Sequence, residues 1–137
     1  MKPIKTFFMF TRQYHGKAKE AIDFYVSLFP NSRIDNIQFY GPNEQDPEGT
    51  VKTAAFTLNG QSYMAIDSAA PHQFTFTPAV SLFIECESDE EIKRLYSALS
   101  DSGLALMPLD NYGFSKIFGW VNDRFGVSWQ LNLPTQE

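Results

Sequence analysis

One cysteine, Cys86, in 137 residues leaves no partner for an internal disulfide and no second thiol for a CxxC zinc or redox motif. A small buried hydrophobe at a strand end is the reading it supports, ahead of a nucleophile. Histidine is nearly as scarce: His15 and His72 are the only two, and no HxH or HExxH spacing appears. Cationic residues stand singly, 11 Lys and Arg against 16 Asp and Glu, for a formal charge of −5. Without a basic stripe there is no footprint for a phosphate backbone, and nucleic acid is set aside as a partner. No apolar run approaches the ~18 residues that a bilayer span needs, and MKPIKTFFMF has no cleavage-site pattern behind it. The expectation is a soluble cytoplasmic protein without a membrane partner. What the chain does hold is aromatic rings, 13 Phe, 6 Tyr and 2 Trp within a 43% hydrophobic composition. That is ample for one core, and the surplus suits the lining of a pocket or a subunit interface.

Residues 17–29, KAKEAIDFYVSLF, set Ala18, Ala21, Ile22, Tyr25 and Leu28/Phe29 at the three-and-four spacing of one helical face, and Pro30 ends the run. Residues 88–102, SDEEIKRLYSALSDS, repeat the spacing with Ile92, Leu95, Tyr96 and Leu99. Ser88 followed by Glu91 is a capping-box start, the acidic run 88–91 suits the helix dipole, and Gly103 is the expected C-terminal stop. The rest reads as strands: KTFFMF before the first helix and SRIDNIQFY, TVKTAAFTL and SYMAID after it. AVSLFIE precedes the second helix, and residues 104–106, SKIFGWV and VSWQLNL follow it. The order is strand, helix, three strands, twice over: an α+β chain of two βαβββ modules, 1–70 and 79–135, in a single domain, 1–137. PHQFTFTP, residues 71–78, is the extended connection. Laid on each other, the halves align Gly60-Gln61-Ser62-Tyr63 with Gly126-Val127-Ser128-Trp129. Asn59-Gly60 suits a two-residue hairpin, with residues 123–126 in the same place in the second half. Residues 41–49, GPNEQDPEG, form a polar, turn-rich loop expected to be mobile.

This tandem order, with FYVSLFP closing the first helix, FTPAVSL opening the second half and DRFGVSWQ near the end, resembles the vicinal oxygen chelate superfamily over about residues 4–134. That is the fold of glyoxalase I, extradiol dioxygenases and fosfomycin- and bleomycin-resistance proteins. More closely the chain resembles the PhnB-like branch, often labelled demethylubiquinone methyltransferase-like. The resemblance implies that each module's mixed sheet curls into half of a cup, with metal ligands, where a member has them, on the first and last strand of each module. Carried over by position, those places are Gln130, Met64, Ser81 and either Thr6 or Phe8. A divalent ion wants His nitrogen or carboxylate oxygen at three or four converging positions. An amide, a thioether, a hydroxyl and a hydroxyl or phenyl do not supply them, so neither a metal nor a cofactor is expected. No glycine-rich loop follows a strand in the way a nucleotide-type cofactor needs, which leaves the methyltransferase label without support.

The candidate ligand-binding residues are Gln130, Met64, Ser81, Phe8, Trp120, Phe118 and His72. Gln130 stands in a strand that otherwise reads as buried, where an amide without a partner costs ~1–3 kcal/mol, so neighbouring backbone or a ligand should answer it. Met64 is core filler or an adaptable wall. Trp120 and Phe118 share one face of SKIFGWV, as cup floor or as plain sheet packing. Tyr112, Phe114 and Ser115, in the Gly-containing stretch 111–115, are placed to cover the cup mouth like a lid. His72 is of the residue type suited to acid or base work; it faces the ligand if the connection crosses the cup and is a solvated loop residue otherwise. Asp67 and Glu85, at strand ends, read as solvated charges. The expected function is metal-free binding of a small molecule by a homodimer, since related proteins build the cup with a second subunit. The alternative is a lyase, isomerase or resistance-type enzyme with His72 or Glu85 as acid or base. A third reading is a structural or regulatory dimer whose cup is filled by its own side chains.

Overall fold

The computed structural model describes residues 1–135 and divides into two compact units, Met1–Thr75 and the chain from Phe76 onward. The first unit runs β1 (Thr6–Phe10), a short 3-10 turn (Arg12–Tyr14), α1 (Ala18–Leu28), β2 (Arg33–Phe39), β3 (Val51–Leu58) and β4 (Gln61–Asp67). The second runs β5 (Leu82–Glu85), α2 (Asp89–Ser100), β6 (Leu104–Asp110), β7 (Ile117–Asn122) and β8 (Ser128–Leu133). Strand orders are β1-β4-β3-β2 and β5-β8-β7-β6. In each sheet the first and last strands of the module pair in parallel and the other pairs are antiparallel. The chain is thus α+β, two βαβββ modules of one topology.

Each helix covers one face of its own sheet. In the first unit Ala18, Ala21, Ile22 and Tyr25 are fully buried, as are or nearly are Phe8, Phe10, Ala54, Phe56 and Ala65. Phe8, Phe56 and Tyr63 stack at 5.6–6.3 Å between centroids. In the second, Ile92, Leu95 and Leu99 of α2 are buried together with Val121, Trp129 and Leu131. Strand alternation then sends the neighbouring residues to the opposite, helix-free face of each sheet. The Asn59-Gly60 turn has both residues at positive φ, 48° and 81°. Those angles match the twist of a two-residue hairpin.

Four local features differ from the sequence-based expectation. Asp67 is not a solvated charge: it is 1% exposed. Its Oδ1 accepts from the Gly16 and Ala18 amides at 2.8 and 3.2 Å, and its Oδ2 from the Val51 amide at 2.9 Å. Lys17, the N-cap of α1, supplies no capping side chain; a carboxylate reaching from β4 does so instead. Gly103 does not provide the left-handed residue after α2; Ser102 does, at φ 59°. Gly103 is required for close approach, since a Cβ there would stand 2.3 Å from the Asn122 carbonyl oxygen. β6 runs to Asp110 and contains Pro108, which an edge strand tolerates. Within the 41–49 loop, Asp46 is buried and its carboxylate accepts from the Ala69 amide at 2.9 Å.

Candidate functional site

In β8, Trp129, Leu131 and Leu133 face α2, so Ser128, Gln130 and Asn132 face the other way. Ladder pairing lays Phe83 of β5 and Trp120 of β7 on either side of Gln130, and Glu85 and Phe118 on either side of Asn132. The polar groups at both ends of this face are satisfied. Ser128 Oγ lies 2.7 Å from Ser81 Oγ and accepts from Trp120 Nε1 at 2.8 Å. Asn132 Oδ1 accepts a short hydrogen bond from Ser115 Oγ, and its Nδ2 donates to Glu85 at 3.4 Å. Gln130, between them and half-buried, makes no side-chain hydrogen bond to any described residue. Its amide therefore presents a donor and an acceptor to whatever occupies the face.

The 111–115 stretch folds onto this same face. Phe114 and Tyr112 stack at 6.2 Å and meet Phe118 edge-on at 5.1 and 6.3 Å. Phe83 lies 6.5 Å from Phe118. Tyr112 donates to the Pro108 carbonyl at 2.5 Å, and Ser115 is buried against Asn132. The result is an aromatic wall closing one end of a surface whose centre is an unanswered amide.

Gln130, Ser81, Trp120 and Phe118 thus come together. The other candidates lie in the first unit. Met64 pairs with Phe7 of β1 and Ala55 of β3 on the helix-free face, which is the relation that Gln130 bears to Phe83 and Trp120. Phe8 stands on the opposite face, 6% exposed in the core against α1, and Thr6 shares its parity. Phe7 and Met9 occupy the side on which Met64 lies. His72 bonds through Nε2 to Ser68 Oγ at 2.8 Å and packs on Phe74 at 4.8 Å. Its cleft is lined by Arg12, Gln13, His15 and residues 68–73. Cys86 is 3% exposed; burial, with the Glu91 charge second, pushes its thiol up to about 11. At neutral pH it is a protonated hydrophobe, not a nucleophile. Sequence reasoning missed Phe83 and Asn132. The i, i+2, i+4 run of Ser128, Gln130 and Asn132 against Trp129, Leu131 and Leu133 was the signal for Asn132.

Residues 2–132 match the 3-demethylubiquinone-9 3-methyltransferase family, the PhnB-like family. The chain belongs to it. A PhnB protein from Bacillus cereus is 54% identical over 96% of this chain and 99% of its own, with a TM-score of 0.91. Protein YjdN of Escherichia coli K12 is 25% identical over 108 residues, 79% of this chain and 73% of that protein. A glyoxylase/bleomycin resistance protein/dioxygenase domain from Frankia sp. EAN1pec shares the fold: TM-score 0.63, 13% identity, 99% of this chain and 94% of that one. This PhnB-like chain therefore has the vicinal oxygen chelate fold.

The sequence resemblance puts metal ligands, where a member has them, at Gln130, Met64, Ser81 and Thr6 or Phe8, none of them a His nitrogen or a carboxylate. On the ladder, Met64 and Gln130 are equivalent last-strand positions and the side chains beside them on the first strands are Phe7 and Phe83. A thioether, an amide and two phenyl rings do not fit a divalent ion. Among the described residues no group of three or more His, Cys, Asp or Glu could hold one. Among the described residues no helix is long and apolar enough to cross a membrane.

Proposed function

We propose that this PhnB-like protein binds a small, largely apolar molecule without a metal, working as a cytoplasmic homodimer. The site is the helix-free face of the second module, with Gln130 orienting the ligand. Phe83, Trp120 and Phe118 supply apolar contact, Ser81 holds Trp120 in place through Ser128, and Met64 presents the corresponding face of the first module. The observation that carries this reading is the contrast along one strand. The side chains of Ser128 and Asn132 have hydrogen bonds made by the protein, while that of Gln130 between them has none among the described residues. An apolar surface with one convergent polar group is the usual make-up of a ligand site.

Native mass spectrometry of protein purified without chelator, with metal analysis of the same sample, tests it. The expected result is a metal-free dimer carrying a small adduct that Gln130→Leu abolishes. About one metal ion per subunit, retained on dialysis, would overturn the metal-free part. Titration with S-adenosylmethionine tests the methyl transfer that the family's description names: a stoichiometric complex would replace the present reading.

A further inference from the structure

A second site lies wholly within the first unit and shares no residue with the Gln130 face. An open cleft of about 480 Å³ is lined by Arg12, Gln13, His15, Ser68, Ala69, Ala70, Pro71, His72 and Gln73. The chain as a whole carries −5, yet this lining holds an arginine, both of the molecule's histidines and no carboxylate. Two carboxylates stand behind the lining and are held by backbone amides: both oxygens of Asp67 accept N–H groups, and one oxygen of Asp46 accepts from the amide of the lining residue Ala69.

The donors are positioned in advance. Arg12 sits at φ 54°, a left-handed conformation that a residue with a Cβ adopts only where its surroundings enforce it. Its Nη1 donates to the His72 carbonyl at 2.8 Å, which holds the guanidinium while its remaining N–H groups have no acceptor among the described residues. Thr11 donates to the Phe74 carbonyl at 2.8 Å, so the wall formed by residues 68–74 is fastened at two points to the turn after β1. The imidazole of His72 is held between Ser68 and the Phe74 ring. His15 Nε2 is buried without a hydrogen-bond partner among the described residues. Buried polar atoms are nearly always paired; this one is closed to solvent, and it reaches a group bound in the cleft when the imidazole turns outward.

We propose that this cleft binds a small oxyanion, a carboxylate or phosphate group, through the free edge of the Arg12 guanidinium together with His15, Ser68 and His72. Arginine's planar fork matches either group in a bidentate way, and a cleft of this size admits the anion with a substituent attached.

The test follows the imidazole NMR signals of the full chain as inorganic phosphate is added at fixed pH and ionic strength, with acetate in a parallel series. Two histidines give two assignable sets of signals. Both should move along one saturating curve for at least one anion. Saturation by phosphate alone, or by acetate alone, identifies the group. Arg12→Gln should weaken binding by about tenfold or more, the loss expected for a charge-assisted pair. Arg33→Gln removes the same charge from an exposed position outside the cleft and should leave the curve in place. If Arg12→Gln perturbs the strained turn, His72→Gln removes a lining group from a residue outside that turn and should also weaken binding. Shifts that chloride reproduces, saturation by neither anion, or Arg12→Gln and His72→Gln curves matching the parent would overturn the proposal.

Discussion

Two aspartates, each buried at the end of a hairpin, hold loops to strands with a single carboxylate. Asp67 receives three backbone amides. Asp123 receives those of Phe125 and Val127 at 2.8 and 3.0 Å and the Trp129 indole N–H at 2.9 Å. Removing either acceptor leaves buried donors without a partner. Asp67→Ala should therefore cost about 2–4 kcal/mol in urea unfolding, read as a lower midpoint at unchanged slope. Gln130→Leu should change stability by less than about 0.5 kcal/mol, because no protein hydrogen bond is lost. A large loss for Gln130→Leu would mean that the amide serves the fold and not a ligand. Cys86 adds a pH term. Its folded-state pKa is raised from 9.0 to about 11, first by burial, so its contribution is full below pH 9 and disappears as pH rises toward 11. The parent should lose stability between about pH 9 and 11 by an amount that Cys86→Ala removes, as unfolding at both pH values would show.

The elements were legible because their signals are local. Helical spacing gave α1 and α2 to within a residue or two of their observed ends, and Ser88 accepts from the Glu91 amide at 3.1 Å as a capping box predicts. What was not legible depends on residues brought together by the fold. No spacing rule shows that Asp67 caps a helix 49 residues away. The neighbours Ser102 and Gly103 illustrate the difference: a glycine after a helix reads as its left-handed cap, yet the left-handed residue is Ser102. Ser102→Gly should be neutral or stabilising by up to about 1 kcal/mol through relief of strain, offset in part by chain entropy. Gly103→Ala should be clearly destabilising, since its Cβ would meet a backbone oxygen at 2.3 Å and backbone cannot move aside cheaply. Thermal unfolding should give a clear downward shift for Gly103→Ala and none for Ser102→Gly. Equal downward shifts would restore Gly103 to the capping role.

At the scale of the molecule, the internal repeat read from sequence makes Met64 the counterpart of Gln130 in the other module, and the ladders give both the same relation to their neighbours. The candidate site was less legible, because which face a strand residue takes depends on parity within its ladder. Phe8 fell on the core face for that reason, and Phe83 went unnoticed. One topology carries different side chains in the two modules: Gln130 and Trp120 stand where the first has Met64 and Ala55, which is the difference on which the proposed ligand face rests. In a single chain five of the 13 phenylalanines, Phe7, Phe39, Phe74, Phe83 and Phe114, are 44–62% exposed. Exposed rings in that number favour burial against a second subunit. A homodimer formed in this way depends on apolar area and not on charge pairs, which salt would screen within ~10 Å at moderate ionic strength. Light scattering on the eluting peak should give twice the 15.6 kDa chain mass, unchanged from low salt to about 0.5 M NaCl, where apolar burial is not screened. A mass that falls to the monomer as salt rises would assign the contact to charges. A monomer at every concentration would leave those rings to the ligand or to another protein.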